Sequence, residues 1–313
     1  MKPLLIILGP TASGKTHLAA RVADRIGGEI ISADSRQVYR NMDIGTGKDL
    51  DEYILDGRQI PYHLIDIVNA GEKYNVHEYH KDFKNAYEAI NGRNRIPIVC
   101  GGTGFYIYSI LKGHAFSSIP VDEKFRANLD LMTHDELMQL FQSFATVYQS
   151  IADTTTKKRL IRAIEISKYL TDNPGLDHDI FQNSPEYQSV VFGLDPAVSF
   201  RRERISARLK YRLENGLIEE VKDLLKGGLT ADQLIYYGLE YKFVTMFLSG
   251  DMNYTDMCQR LESEIHRFAK RQMTFFRKME KDGIEINWLN TNIPVKEQVE
   301  IITNKYQAKR FKI

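Results

Sequence analysis

Residues 9–16 read Gly-Pro-Thr-Ala-Ser-Gly-Lys-Thr and follow directly on the apolar run Leu4-Leu5-Ile6-Ile7-Leu8. This junction constrains the fold strongly, because a buried strand must end where a glycine-rich loop begins, and the loop must lead into a helix. Gly9 and Gly14 let the backbone curl until successive N–H groups point at one phosphate cluster. The helix starting near Lys15 adds its positive end. Gly9, Pro10, Thr11, Ala12, Ser13, Gly14, Lys15 and Thr16 therefore read as a phosphate-binding loop. Lys15 supplies a mobile cation, and the Thr16 hydroxyl can hold Mg²⁺. The loop specifies a diphosphate or triphosphate ligand without saying which, or what reaction follows. A glycine-rich turn with no ligand is the alternative, and the strand and helix on either side argue against it.

Alternation continues from there. Helix 15–26 closes at Gly27-Gly28, and Glu29–Ala33 is a strand ending at Asp34. A long loop follows from Ser35 to about Tyr74, with a further strand expected over Tyr62–Val68. Helical spacing covers Asn75–Asn91, Ile96–Cys100 is a third clear strand, and Gly101-Gly102-Thr103-Gly104 turns into another helix. Strand–helix alternation predicts a parallel sheet with helices on both faces, an α/β fold with a P-loop NTPase-like core. Strand signal fades after Gly113. Leu129–Phe144 and Thr156–Leu170 have amphipathic spacing, with breaks at Asn173-Pro174-Gly175 and Ser184-Pro185. Ser189–Leu194 returns to strand. Helices are expected at Ser199–Asn215, Leu217–Lys226, Glu240–Leu248 and Tyr254 to about Lys281. The domain plan is a first core part at 1–118, a helical insertion at 119–187, and core completion with C-terminal helices at 188–313.

Among 313 residues only Cys100 and Cys258 are cysteines, which points to a reducing, cytoplasmic setting without a disulfide framework. The leading apolar run is too short for a signal peptide or a spanning helix, and no later stretch is expected to cross a membrane. Net charge is +1, so a nucleic-acid surface would need local clustering. Three segments supply it: Lys157, Lys158, Arg159 and Arg162; Arg201, Arg202, Arg204, Arg208, Lys210 and Arg212; and Arg267, Lys270, Arg271, Arg277, Lys278 and Lys281. In the last, Ile265, Phe268, Phe275 and Met279 recur at helical spacing and are expected to face the core, with the cations outward. Each cluster alone reads as a solvated face; three around one phosphate site point to a polyanionic partner.

Asp34 ends the strand expected beside the phosphate-loop strand, at the sheet edge where open α/β folds bind ligands. Its carboxylate can hold water on a metal or act as a base; a capping or turn aspartate is the alternative. No persuasive second acidic phosphate-site motif follows, because Ile96–Cys100 ends in Gly-Gly-Thr. Asp66 is the nearest substitute, with a structural role as the competing reading. Thr103 places a hydroxyl at the same edge. His63, His77 and His80 lack metal-ligand spacing and read as ordinary polar histidines.

Taken in order, several segments resemble the tRNA dimethylallyltransferase family: 9–16, Asp-Ser-Arg-Gln-Val-Tyr (34–39), Met-Asp-Ile-Gly-Thr (42–46), His63-Leu-Ile-Asp66 and Ile-Pro-Ile-Val-Cys-Gly-Gly-Thr (96–103). Lys-Arg-Leu-Ile-Arg-Ala-Ile-Glu (158–165), Arg204-Ile205, Asn-Gly-Leu-Ile-Glu-Glu-Val (215–221) and Ala-Lys-Arg-Gln-Met-Thr (269–274) continue it. The resemblance implies transfer of a dimethylallyl group from dimethylallyl diphosphate to N6 of the adenosine 3′ of the anticodon in tRNA, with Mg²⁺ as cofactor. It implies catalytic roles for Asp34, Thr103, Lys15 and Arg204, and tRNA contacts from Asp34, Ser35, Arg36, Gln37 and Thr103. It extends those contacts to Lys158, Arg159, Leu160, Ile161 and Arg162, and to Tyr237, Gly238 and Glu240. A monomer is the simplest expectation. Alternatives are prenylation of free adenine nucleotide, a small-molecule kinase with Asp34 as base, and a catalytically silent RNA-binding relative. Two places depart from the family's usual pattern. Residues 235–242 read Ile-Tyr-Tyr-Gly-Leu-Glu-Tyr-Lys where Gly-Tyr-Arg/Lys is common, and Phe275 stands where Trp is usual. Both are expected on the RNA-handling side, with Glu240 pairing with an Arg or Lys or accepting from a base edge.

Overall fold

The structure, a computed structural model, describes residues 2–113, 116, 119–150, 152–174 and 187–310. The breaks expected at Gly175 and Ser184-Pro185 lie outside the described residues. The chain forms two compact units, Met1–Leu111 with Tyr187–Ile313, and Lys112–Glu186.

In the first unit, β3 (Ile54–Leu55) and β4 (Arg58–Gln59) pair as a small antiparallel hairpin. Strands β1 (Leu4–Leu8), β2 (Gly28–Ser32), β5 (Tyr62–His63), β6 (Ile96–Gly101), β7 (Ser189–Leu194) and β8 (Ile286–Leu289) make one main sheet in the order β5-β2-β6-β1-β7-β8. Every pairing in the main sheet is parallel. All five residues of β1 are buried, as a parallel strand covered on both faces requires. Leu4, Ile6 and Leu8 join one core and Leu5 and Ile7 the other, the period-two division of a strand.

Helix α1 (Lys15–Ile26) packs on the Leu5/Ile7 face. It ends at Gly27, whose φ of 67° lets its N–H return to the Ala23 carbonyl. Helix α2 (Val76–Gly92) starts with a capping box between Asn75 and Glu78, and α3 (Gly104–Lys112) follows β6. After β7 come α7 (Val198–Glu214), α8 (Leu217–Lys226), α9 (Ala231–Tyr236), α10 (Leu239–Leu248), α11 (Tyr254–Lys281) and α12 (Val295–Arg310).

The helices α9 and α12, the strand β8 and the small β3–β4 hairpin go beyond the expectations. Val299, Ile302 and Tyr306 of α12 join the α1 face of the core, and the Tyr306 hydroxyl donates to the Pro3 carbonyl at 2.8 Å. The strand expected over Tyr62–Val68 is shorter. Leu64 (φ 62°) and Asp66 (φ 57°) leave the extended region, so β5 stops at His63 and only Val68 bridges back, to Tyr39.

The second unit carries α4 (Glu123–Asp130), α5 (His134–Ser143) and α6 (Lys157–Asp172). The single amphipathic run expected over Leu129–Phe144 is broken at Leu131–Thr133. There Thr133 and Glu136 form a capping box that starts a new helix. Leu129, Leu137, Phe141, Leu160 and Ile164 form its core. Buried Glu165 accepts from Arg126 Nε and Nη2 at 2.8 and 2.7 Å, a two-pronged pair. Among the described residues no helix is long and apolar enough to cross a membrane.

Candidate active site

The carboxyl ends of β1, β2 and β6 open into one pocket of about 630 Å³ in the first unit, a size suited to a small-molecule ligand. The loop after β1 supplies its floor. Ala12 (φ 60°) and Gly14 (φ 84°) are left-handed, which turns the 11–15 backbone inward. A Cβ on Gly14 would stand 3.2 Å from Arg204 Nη1, so the arginine lies against the loop and the glycine makes room for it. Lys15 Nζ is 3.4 Å from the Pro10 carbonyl. Burial pushes the Lys15 ammonium below its usual range, against the raising fields of Cys100 and Asp34. Thr16 also lines the pocket, and its hydroxyl is hydrogen-bonded to the Cys100 thiol, which burial pushes up to about 12.

Asp34 sits just past β2, in the pocket. Its Oδ1 accepts the Arg36 N–H at 2.8 Å and the Gln37 N–H at 3.4 Å, which fixes the carboxylate and leaves Oδ2 for other work. The Thr103 hydroxyl accepts the Ser35 N–H at 3.1 Å, so its own hydrogen can be donated. These two turns touch. A Cβ on Gly101 would fall 2.2 Å from the Ala33 carbonyl oxygen, so only glycine allows Asp34 and Thr103 to sit side by side.

Gln37 lines the pocket, with Oε1 accepting from the Ser32 hydroxyl (3.1 Å) and Nε2 donating to the Gly47 carbonyl (2.9 Å). Asp66 is a structural group: it pairs with buried Lys48, which also holds Asp43 and the Tyr39 carbonyl. His63 bonds Glu29 at 2.8 Å and His80 meets the Ser109 hydroxyl at 2.7 Å. Among the described residues no group of three His, Cys, Asp or Glu could hold a metal. A magnesium ion that arrives with substrate phosphates needs only one or two protein oxygens and its own waters; the Thr16 hydroxyl and the carboxylates of Asp34, Asp49 and Glu52 are oxygens of that kind in the pocket lining.

Several lining residues were not singled out as site residues in the sequence. Gln272 of α11 is 8 % exposed; its Oε1 accepts the Thr11 N–H and its Nε2 donates to the Gly102 carbonyl, both at 2.8 Å. It ties the phosphate loop to the Thr103 turn. On α7, Arg204, Arg208 and Arg212 recur every four residues and all line the pocket, whereas Lys210 points to solvent. Arg208 donates to the Thr11 hydroxyl; burial and neighbouring Arg212 pull its guanidinium down to about 10, while Asp49, Glu240 and Glu52 oppose that. Burial and Asp49 raise the Glu52 carboxyl, despite the pull of Lys15 and Arg204.

The 235–242 segment forms another wall. Tyr237 and Gly238 line the pocket, but the Tyr237 ring is buried edge-on to Tyr39, with centroids 4.6 Å apart. Glu240 also lines the pocket, and of its two expected partners it meets an arginine. It lies 3.9 Å from buried Arg212, which also meets Asp49 at 3.4 Å, and burial raises its carboxyl above the ordinary value.

Phe268 does not face the core as its spacing suggested. It is 40 % exposed and lines the pocket with Arg271, one of the cations expected to face outward. Phe275 packs under Gly104 and edge-on to Tyr108 at 6.1 Å, outside the pocket lining.

In the second unit Lys158 and Arg159 are exposed, the latter paired with Asp153 at 2.7 Å. Leu160 and Ile161 are core residues, 0 % and 3 % exposed, so their side chains are not RNA contacts. Arg162 is bound to the Phe116 and Ile119 carbonyls at 3.0 and 2.8 Å and to Glu165 at 3.2 Å, a structural commitment.

Comparison with known proteins gives a consistent picture. The chain is 48% identical over 302 residues to a tRNA dimethylallyltransferase 2 of Bacteroides fragilis, covering 96% of this chain and 97% of the relative. It is 48% identical to the enzyme of the same name from Phocaeicola vulgatus, with 98% of both covered. Among solved structures, the tRNA isopentenylpyrophosphate transferase of Bacillus halodurans superposes with a TM-score of 0.70 at 28% identity, over 99% of this chain and 98% of that one. A eukaryotic dimethylallyltransferase acting on tRNA shares the fold, with a TM-score of 0.80 at 23% identity, over 99% of this chain and 80% of that one. The pattern of the IPP transferase family matches residues 37–279, and the chain belongs to that family.

Proposed function

We propose that the protein transfers a dimethylallyl group from dimethylallyl diphosphate to N6 of the adenosine 3′ of the anticodon in tRNA, releasing diphosphate. One observation carries the reading: the phosphate loop, three arginines, Asp34 and Thr103 share a single pocket, in a chain 48% identical to enzymes named for this reaction. The diphosphate lies on the 11–16 N–H groups, with Lys15 and Arg204 beside it. Ile235, Leu239, Ile265 and Phe268 give the same pocket an apolar wall for the five-carbon chain.

In the reaction the C1–oxygen bond of the donor breaks and the N6–C1 bond forms. The departing oxygen takes the electron pair, and the fixed cations stabilise its growing charge. The surplus N6 proton passes to Asp34 Oδ2, whose partner oxygen is held by two backbone N–H groups. Thr103 donates its hydroxyl hydrogen at the same edge. The adenine leaves its stack to reach them. The Thr16 hydroxyl would hold Mg²⁺, which would supply further neutralisation of the leaving diphosphate. The two free cysteines favour a cytoplasmic setting.

Radiolabelled dimethylallyl diphosphate offered separately with tRNA, AMP and ATP tests the reading. Label is expected in tRNA alone. Label in AMP or ATP but not in tRNA would overturn it.

A further inference from the structure

An exposed aromatic ring stands at the end of α9. Tyr236 is 62 % exposed, although its neighbours Ile235 and Tyr237 both line the pocket. The ring is held from two sides. The Arg36 guanidinium carbon is 5.1 Å from its centroid, and the Tyr237 ring is 6.0 Å away at 72°. Tyr237 is fixed in turn by Tyr39 and by a hydrogen bond from the Gly71 N–H. Arg36 links the ring to the reacting edge, because its own N–H holds Asp34 Oδ1 at 2.8 Å. A rigid, solvent-facing π surface with a cation against it is the arrangement on which unstacked bases settle.

We infer that Tyr236, steadied by Arg36, is a stacking platform for a nucleobase flanking the acceptor adenosine. The inference rests on the tRNA reading above. When the acceptor leaves the anticodon-loop stack, a flanking base loses a neighbour, and the platform supplies a replacement. Because stacking is indifferent to base-edge hydrogen bonds, the platform contributes affinity and loop geometry more than base identity.

The test uses an anticodon stem-loop carrying 2-aminopurine immediately 5′ or, separately, 3′ of the acceptor, since stacking quenches its fluorescence. With the wild-type protein, one of the two probes is expected to be quenched on binding. Tyr236→Ala should relieve that quenching and raise KM for the stem-loop by about five- to 150-fold, the loss of one base–aromatic stack. Tyr236→Phe, which keeps the ring, should behave as wild type within about twofold. The KM for dimethylallyl diphosphate should stay constant in both variants, and their thermal midpoints should match wild type, as expected for an exposed side chain. Equal quenching in wild type and Tyr236→Ala would overturn the platform. So would a loss in Tyr236→Phe as large as in Tyr236→Ala, which would assign the effect to the hydroxyl. A wild-type protein that transfers no prenyl group to the unlabelled stem-loop or to intact tRNA would instead overturn the functional reading.

Discussion

On the phosphate-loop wall of the pocket, ligand-facing groups are mainly backbone N–H groups and cations placed by one short segment and one helix. On the 235–242 wall they are side chains whose charges are already spent on each other, as Glu240 is on Arg212 and Arg212 on Asp49. The first wall presents a cluster of cations and backbone N–H groups to an anion. The second presents shape, aromatic surface and a closed ion pair. A diphosphate makes the same demand on any enzyme that binds it, so backbone curvature can meet it. An RNA loop is read by surface contour, which substitution alters easily. Of this chain's two departures from its family's usual pattern, the 235–242 segment falls on the second wall, and Phe275 lies outside the pocket lining.

The sharpest way to break this contrast is at Asp34, which serves the chemistry and neither wall's binding. Asp34→Asn keeps the shape and the acceptance of the Arg36 N–H but removes the basic oxygen. Turnover should fall by about 10²–10⁴, the range for a lost general base, with tRNA affinity unchanged. Single-turnover rates and a direct binding measurement on the same preparation check it. Lost affinity with an intact chemical rate would move Asp34 to the binding surface.

The ion pair of the second wall comes next. Glu240→Lys would place a third cation beside Arg208 and Arg212 and remove one of their counter-charges. Breaking a buried pair in this way costs about 3–5 kcal/mol, so a marked fall in thermal midpoint should precede any change in acceptor choice. Glu240→Gln should behave oppositely. The Glu240 carboxyl is held above its ordinary value in the fold. Folding therefore favours its protonated form, and the stability it contributes grows as pH falls through that raised value. Gln mimics the protonated acid, so this variant should match or exceed wild-type stability at neutral pH, with the advantage shrinking in acid. Denaturant midpoints across pH decide it, and a Gln variant as damaged as the Lys variant would show that the charge itself holds the wall.

Lys15→Ala tests the first wall. Losing one preorganised charge contact costs about 2.7–4 kcal/mol, or roughly 10²–10³ in turnover. Because burial lowers the Lys15 ammonium from 10.5, affinity for inorganic pyrophosphate in the wild type should fall as pH rises through that lowered value. Calorimetric titration should show this limb in wild type and lose it in Lys15→Ala. Normal turnover at saturating donor would remove Lys15 from the diphosphate site.

The residues of the site also differed in how far they could be read in advance. The loop, Lys15, Thr16 and Asp34 were legible because each depends on a few adjacent residues: a strand, a turn and a helix start. Gln272, Arg208 and Phe268 were not, although all three stood in segments already read as helix. Helical spacing separates a buried face from an exposed one but cannot say that an exposed stripe lines a cavity, and Phe268 was placed in the core for that reason. Gln272 acquires meaning only when α11 packs against two loops some 170 and 261 residues away in sequence. The short β5 was overread because left-handed Leu64 and Asp66 carry no glycine to announce the break. The split of Leu129–Phe144 was legible in principle, since Thr133-x-x-Glu136 is a helix-start signature.

The smallest effect concerns the second unit. The cluster 157–162 divides by partner: Arg162 is committed to two carbonyls and Glu165, whereas Lys158 and Arg159 are exposed. If the second unit meets tRNA phosphates, its exposed cations make those contacts and Arg162 does not. Lys158→Ala with Arg159→Ala should flatten the log–log salt dependence of tRNA affinity by about one to two units, one for each phosphate released. The donor KM should not change. Arg162→Ala should instead lower the thermal midpoint, because it leaves two carbonyls and part of a buried carboxylate without their donor, and its salt slope should stay near wild type. Filter binding over a range of salt concentrations, with thermal melts on the same variants, separates the two. An unchanged slope in the double variant would remove Lys158 and Arg159 from phosphate recognition, and a flattened slope in Arg162→Ala would return that arginine to the RNA surface.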